Sequence, residues 1–211
     1  MKTFKQYIFE DIELVSDISR MSKSDLKDVE SEFTYSHKKN LGNIHKDYSI
    51  YKSNGNFYIT HDPSKKVIGH ISNDTPHKSK NLTVGLIGIH KDHTKKKIGH
   101  SLAVAAYKHL HELGYTIDSG REQSVGGASI WQSLLKDPEI RKNIRAVYKP
   151  FGGSVKDLGQ ATELHTGNIW TSGSGSIRRK ASTRGIQMHK YGSPEAEITS
   201  ETRLVLKAKK K

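Results

Sequence analysis

Three groups of residues in this chain have types and spacings that could do chemistry. Twelve histidines include His90-x-x-His93, His100 and His109-x-His111, which raises metal ligation first. No cysteine accompanies them, and histidines two apart on a helix point to different faces, so no metal site is expected. Serines, histidines and aspartates are plentiful, but no Gly-x-Ser-x-Gly elbow presents a nucleophile, which argues against a hydrolase. The second group is the run Thr94-Lys95-Lys96-Lys97-Ile98-Gly99. It follows an apolar segment ending at Ile89 and opens a helical pattern, so free amides and the helix dipole would face an anion there. The lysines add point charges for phosphate. The third group is basic: Arg178, Arg179, Lys180 and Arg184, with Lys209, Lys210 and Lys211 at the end of the chain. Such cations contact nucleic-acid phosphates.

The elements that must position these groups can be read from periodicity. Phe4, Tyr7, Ile8, Ile12 and Val15 recur at helical intervals within residues 1–20, which predicts an amphipathic leader helix. Ser22-x-x-Asp25 reads as a capping-box variant opening a second helix, with Leu26, Val29 and Phe33 on one face. Tyr48–Ser53 and Asn56–Thr60, joined by Asn54-Gly55, predict a β-hairpin with a type I′ turn. Val67–Ile71 and Leu82–Ile89 are the next strands. A helical period over 97–113 ends at Gly114, which suits a C′ position. Tyr115–Asp118 returns to strand, and Ala128–Lys136 to helix, stopping before Asp137-Pro138. Gly152-Gly153 and Gly167–Gly175 read as loops, and Arg203–Lys207 as a last strand.

Composition narrows the partners. Of 211 residues, 33% are hydrophobic and 27% charged, polar for a globular protein yet sufficient for one domain with modest tails. No stretch nears the roughly 18 apolar residues of a membrane span, and the first ten residues are too polar for a secretory signal. The net charge of +13 is uneven: residues 1–33 hold eight acids against five bases, while residues 171–211 hold ten bases against three acids. That surplus favours a polyanion, with DNA the expected partner.

The order helix, antiparallel strands, long apolar strand, helix, strand, helix is that of an α/β sandwich, and at residues 82–136 it resembles the GNAT superfamily of N-acetyltransferases. The expectation is an α/β fold: a GNAT-like mixed sheet flanked by helices, with an N-terminal helical leader and a basic C-terminal tail. The resemblance implies acetyl-CoA as cofactor, held at Ile89, Thr94, Lys95, Lys96, Lys97, Ile98 and Gly99. The family pattern Gln/Arg-x-x-Gly-x-Gly/Ala keeps Gly99 here, but Thr94 replaces its leading residue and Lys97 its first glycine. Trp131 stands roughly where the family often carries a tyrosine acid, and an indole cannot donate a proton to a thiolate. Tyr107, Tyr115 and Glu122 are the remaining acid or base candidates.

Met1-Lys2-Thr3-Phe4-Lys5-Gln6-Tyr7-Ile8-Phe9-Glu10 resembles the capsid-targeting peptide of internal head proteins of T-even-type bacteriophages. The resemblance implies entry into the prohead through the scaffold. Cleavage by the maturation protease after Ile8-Phe9-Glu10 would then leave a chain beginning at Asp11. The implied organisation is a cleaved leader at 1–10, a GNAT-like domain at 11–150 and a C-terminal extension at 151–211. The implied setting is the virion interior beside packaged DNA, then the host cytoplasm and a host protein target after ejection. An active intracellular N-acetyltransferase and a non-catalytic DNA-binding protein are the alternatives.

Overall fold

The computed structural model describes residues 19–21, 23–75, 79–90, 98–120, 125–149, 154–162, 169–171, 188–190 and 202–209. These fall into two units, one built on residues 20–117 together with the chain end from Ala208, the other on residues 118–207.

The first unit is a sheet with a helix on each side of its sequence. Helix α1 (Lys23–Tyr35) precedes strands β2 (Lys39–His45), β3 (Tyr48–Ser53), β4 (Asn56–His61), β5 (Lys66–Asn73) and β6 (Asn81–His90). Helix α2 (Ile98–Glu112) and strand β7 (Thr116–Asp118) follow. Strands β2 to β6 run antiparallel in sequence order, and β7 lies beside β6. The β3–β4 hairpin turns through Asn54 (φ 48°) and Gly55 (φ 86°), the type I′ geometry that Asn-Gly tolerates. Alternation along the strands sorts the side chains. Ile50, Ile59, Gly69 and Ile89 form one cross-strand row, with Phe57, Ile71 and Ile87 beside it. All but Ile87 and Gly69 among these are fully buried side chains. Each contributes at most about 1.5–3 kcal/mol of apolar burial. Tyr51, Tyr58, His70 and Gly88 form the neighbouring row, which presents the opposite face. Phe33 of α1 packs against Tyr51 and Tyr58, with ring centroids 5.5 and 5.2 Å away. The Phe57 face instead meets Tyr115, edge-on at 5.4 Å. Gly114 adopts φ 83° after α2, as a C′ glycine does.

The second unit contains helix α3 (Val125–Lys136), the short α4 (Pro138–Arg141), and strands β8 (Ile144–Tyr148), β9 (Lys156–Gln160) and β12 (Thr202–Leu206). These strands pair antiparallel in the order β12-β8-β9. Strands β10 (Ile169–Thr171) and β11 (Met188–Lys190) form a separate parallel pair. Asp137 ends α3 and starts α4, its carboxylate accepting from the Glu139 and Ile140 amides with Pro138 at the first helical position. Ala128, Ile130, Trp131, Leu134, Ile144, Ala146, Leu204 and Leu206 are buried.

The chain is thus α/β, a mixed set of strands flanked by helices in the order expected of a GNAT-like fold. Two expectations change. Ser19 and Arg20, assigned to the leader helix, belong to strand β1 (Ser19–Met21), which pairs with β6; the leader up to residue 18 lies outside the described residues. Residues 169–171, read as loop, form β10, because backbone pairing with 188–190 satisfies a segment with no strong alternation of its own. Strand β8, before residue 150, is flanked by β9 and β12, both after it.

Candidate functional site

Of the acyl-CoA candidates, Ile89 lies near the end of β6, and Ile98 and Gly99 open α2. Strand β6 buries Leu82, Val84, Ile87, Gly88 and Ile89 and ends at the half-buried His90. Ile89 is fully buried, and its Cδ1 atom lies 2.6 Å from where a Cβ on Gly69 would stand. Its side chain therefore builds the sheet and does not face a ligand. Thr94, Lys95, Lys96 and Lys97 lie outside the described residues. Beyond them α2 opens with Ile98 half-buried, Gly99 buried and His100 half-buried. Burial holds the His100 pKa below its ordinary value. The first amides of α2 have no intrahelical acceptor, so this turn can take an anion.

The acid and base candidates separate. Tyr107 lies on the buried face of α2 at 2% exposure, and burial raises its phenol pKa. A proton donor must reach its substrate, so Tyr107 is a core residue. Tyr115 is 7% exposed, with its pKa raised by burial and pulled down by Lys39. Its hydroxyl is 3.5 Å from Lys52 Nζ. Glu122 lies outside the described residues, and Trp131 is buried on α3. Of the basic group, Lys209 is exposed; Arg178, Arg179, Lys180, Arg184, Lys210 and Lys211 lie outside the described residues, as do Ile8, Glu10 and Asp11.

No family model and no curated protein matches the chain. Among solved structures it is similar to the crystal structure of the ribosomal-protein-S18-alanine N-acetyltransferase from Escherichia coli. The identity is 17%, over 73% of this chain and 98% of that one, with a TM-score of 0.30. A likeness that distant assigns no residue a role. Among the described residues no group of three or more His, Cys, Asp or Glu could hold a metal ion, and no helix is long and apolar enough to cross a membrane.

Two polar clusters escaped sequence reading. In the first unit, Tyr58 and His70 face each other across β4 and β5 with ring centroids 5.1 Å apart. Burial, then the Glu32 carboxylate, raises the Tyr58 pKa. Burial lowers that of His70 against a smaller opposing pull from Glu32, and its Nε2 is enclosed without a hydrogen-bond partner among the described residues. Gly88 pairs with His70 on β6, so no side chain fills the adjoining position. A histidine in an alternating strand looks like an outward polar residue; only the placement of α1 shows otherwise. In the second unit, Asp118 meets Lys149 at 3.3 Å and Arg203 at 3.5 Å, and accepts from the Gly120 amide at 3.0 Å. Ser119 Oγ accepts from Leu204 N–H at 3.1 Å. The Asp118–Arg203 and Ser119–Leu204 contacts each join residues 85 positions apart, which no local pattern reveals.

Proposed function

We propose that this chain is a bacteriophage internal head protein, packaged with DNA, whose GNAT-like domain binds acetyl-CoA at the start of α2. The carrying observation is that the longest strand, β6, leads through a lysine-containing link into an α2 first turn holding a buried Gly99. Where the backbone must approach a phosphate, a glycine leaves it bare. The residues fit the pyrophosphate of the cofactor in part: the α2 amides and Lys95, Lys96 and Lys97 supply positive charge, while Lys97 replaces a glycine of the family pattern. Bound there, the cofactor supplies an activated acyl thioester. Packaging draws on the Met1–Glu10 leader and the basic surplus of residues 171–211.

Calorimetry with acetyl-CoA tests the cofactor claim. Gly99→Leu should weaken binding at least tenfold, equivalent to about 1.4 kcal/mol, with helix content retained; equal affinity in the two proteins rejects the site. Mass spectrometry of purified particles tests packaging, for which a chain starting at Asp11 is the expected form. Full-length protein confined to the infected-cell cytoplasm rejects it.

A further inference from the structure

Lys39, Lys52 and Lys80 gather around one phenol ring. Lys39 and Lys52 are direct cross-strand partners on β2 and β3, and like charges placed opposite one another destabilise a sheet. Lys52 Nζ lies 5.2 Å from the centre of the Tyr115 ring, and Lys80 Nζ lies 5.8 Å from the same centre. Their hydrogen-bond partners are uncharged: the Tyr115 hydroxyl for Lys52, and the Leu113 carbonyl at 2.8 Å for Lys80. Among the described residues no carboxylate pairs with any of the three. Lys52 is partly withdrawn from water, which depresses its pKa. Lys39 and Lys80 are exposed and Lys52 is half-buried, and three like charges held together without a counter-ion repel one another, which a bound polyanion would relieve.

We propose that Lys39, Lys52 and Lys80 form a binding site for the phosphodiester backbone of DNA, separate from the basic C-terminal segment. The surroundings favour a polymer over a lone anion. The same β2–β3 hairpin carries Lys38, Lys46, His37 and His45, with Asp47 as the single acid between residues 36 and 53. Strand β2 stands at the end of the strand order, so the positive strip follows an edge of the sheet. Base recognition is disfavoured. Tyr115 is 7% exposed, and Phe57 and two lysines already occupy its ring, leaving no face on which a base could stack. Lysines act as point charges and carry no bidentate code, which suits contact independent of sequence. The cluster is also remote from the acyl-CoA junction. Lys80 binds the residue just past α2, and that 15-residue helix spans about 22 Å from its first turn.

The inference rests on the reading of the chain as DNA-associated only in its choice of polymer. The test is DNA affinity of the full chain as a function of salt. Lys39→Gln/Lys52→Gln/Lys80→Gln should flatten the slope of log K against log salt by about 2–3, near 0.9 for each phosphate no longer neutralised. The control Lys27→Gln/Lys65→Gln/Lys66→Gln removes the same charge from exposed positions elsewhere in the unit and should leave the slope near that of the unaltered chain. Equal flattening in both, or none in the first, overturns the site while leaving packaging intact. Failure of the unaltered chain to bind DNA overturns both. If the triple variant does not fold, Lys80→Gln alone should flatten the slope by about 1, and an unchanged slope there overturns the site.

Discussion

The Gly69–Ile89 contact allows a sharp test of how the first unit is packed. Gly69 sits in the buried cross-strand row, and a Cβ built on it would lie 2.6 Å from Ile89 Cδ1, 3.1 Å from the Gly88 carbonyl oxygen and 3.3 Å from Ile59 Cβ. The first distance is shorter than carbon atoms tolerate, and the second involves backbone that β5–β6 pairing holds in place. Gly69→Ala should therefore show an overpacking cost of about 1–3 kcal/mol. A smaller gain of about 0.4–1 kcal/mol, from a stiffer unfolded chain, offsets part of it. Ile89→Val removes the clashing methyl group and alone costs about 0.5–1.5 kcal/mol. In the double variant the valine relieves the main clash, so its cost should fall below the sum of the two single costs by about 1 kcal/mol. Urea unfolding followed by circular dichroism measures the set, with hydrogen exchange in β5 and β6 assigning the change to this unit. Costs that add to within about 0.5 kcal/mol refute the reasoning.

Three further outcomes follow from the same architecture. Asp118→Asn leaves Lys149 and the 12%-exposed Arg203 side chain without their carboxylate; stability should fall by about 3 kcal/mol, read from tryptophan fluorescence during unfolding. The folded His70 binds its proton more weakly than the free imidazole. Stability should therefore decline as pH falls below about 6.5 and level off once the folded-state pKa is passed; a pH dependence unaltered by His70→Gln would contradict this. Gly114→Ala forces a side chain into φ 83° and should lower stability by about 1 kcal/mol, measured as a thermal midpoint.

Local chemistry made the first unit readable in advance. The Asn54-Gly55 turn, the apolar run of β6 and the α2 pattern ending at Gly114 all carry short-range signals, and each element falls within a residue or two of its sequence-based bounds. Strands β2 and β9 carry none. Their sequences, such as Lys39-Asn-Leu-Gly-Asn-Ile-His45 and Lys156-Asp-Leu-Gly-Gln160, lack β-branched alternation and become strands because neighbouring backbones satisfy them. The site shows the same divide. Gly99 at the α2 start was legible because helix termini have a sequence grammar. Tyr107 looked like an available phenol, since spacing alone does not show which helix face is enclosed. Lys39, Lys52 and Lys80 come together only through sheet register, so no motif announces them.

The pairing of β12 with β8 also has a consequence during synthesis. One edge of β8 receives its partner only after the ribosome has added residues 149–201 and then β12 itself. At about 5–20 residues per second, that edge waits roughly 3–12 s. Throughout this interval Ala146 and Val147 present unpaired backbone, a template on which strands from other nascent chains could add. Strands β2 to β6, all made by His90 and paired in sequence order, are free of such a delay. Slowing translation between the codons for Tyr148 and Thr202 should therefore lower soluble yield, whereas slowing it within residues 39–90 should not.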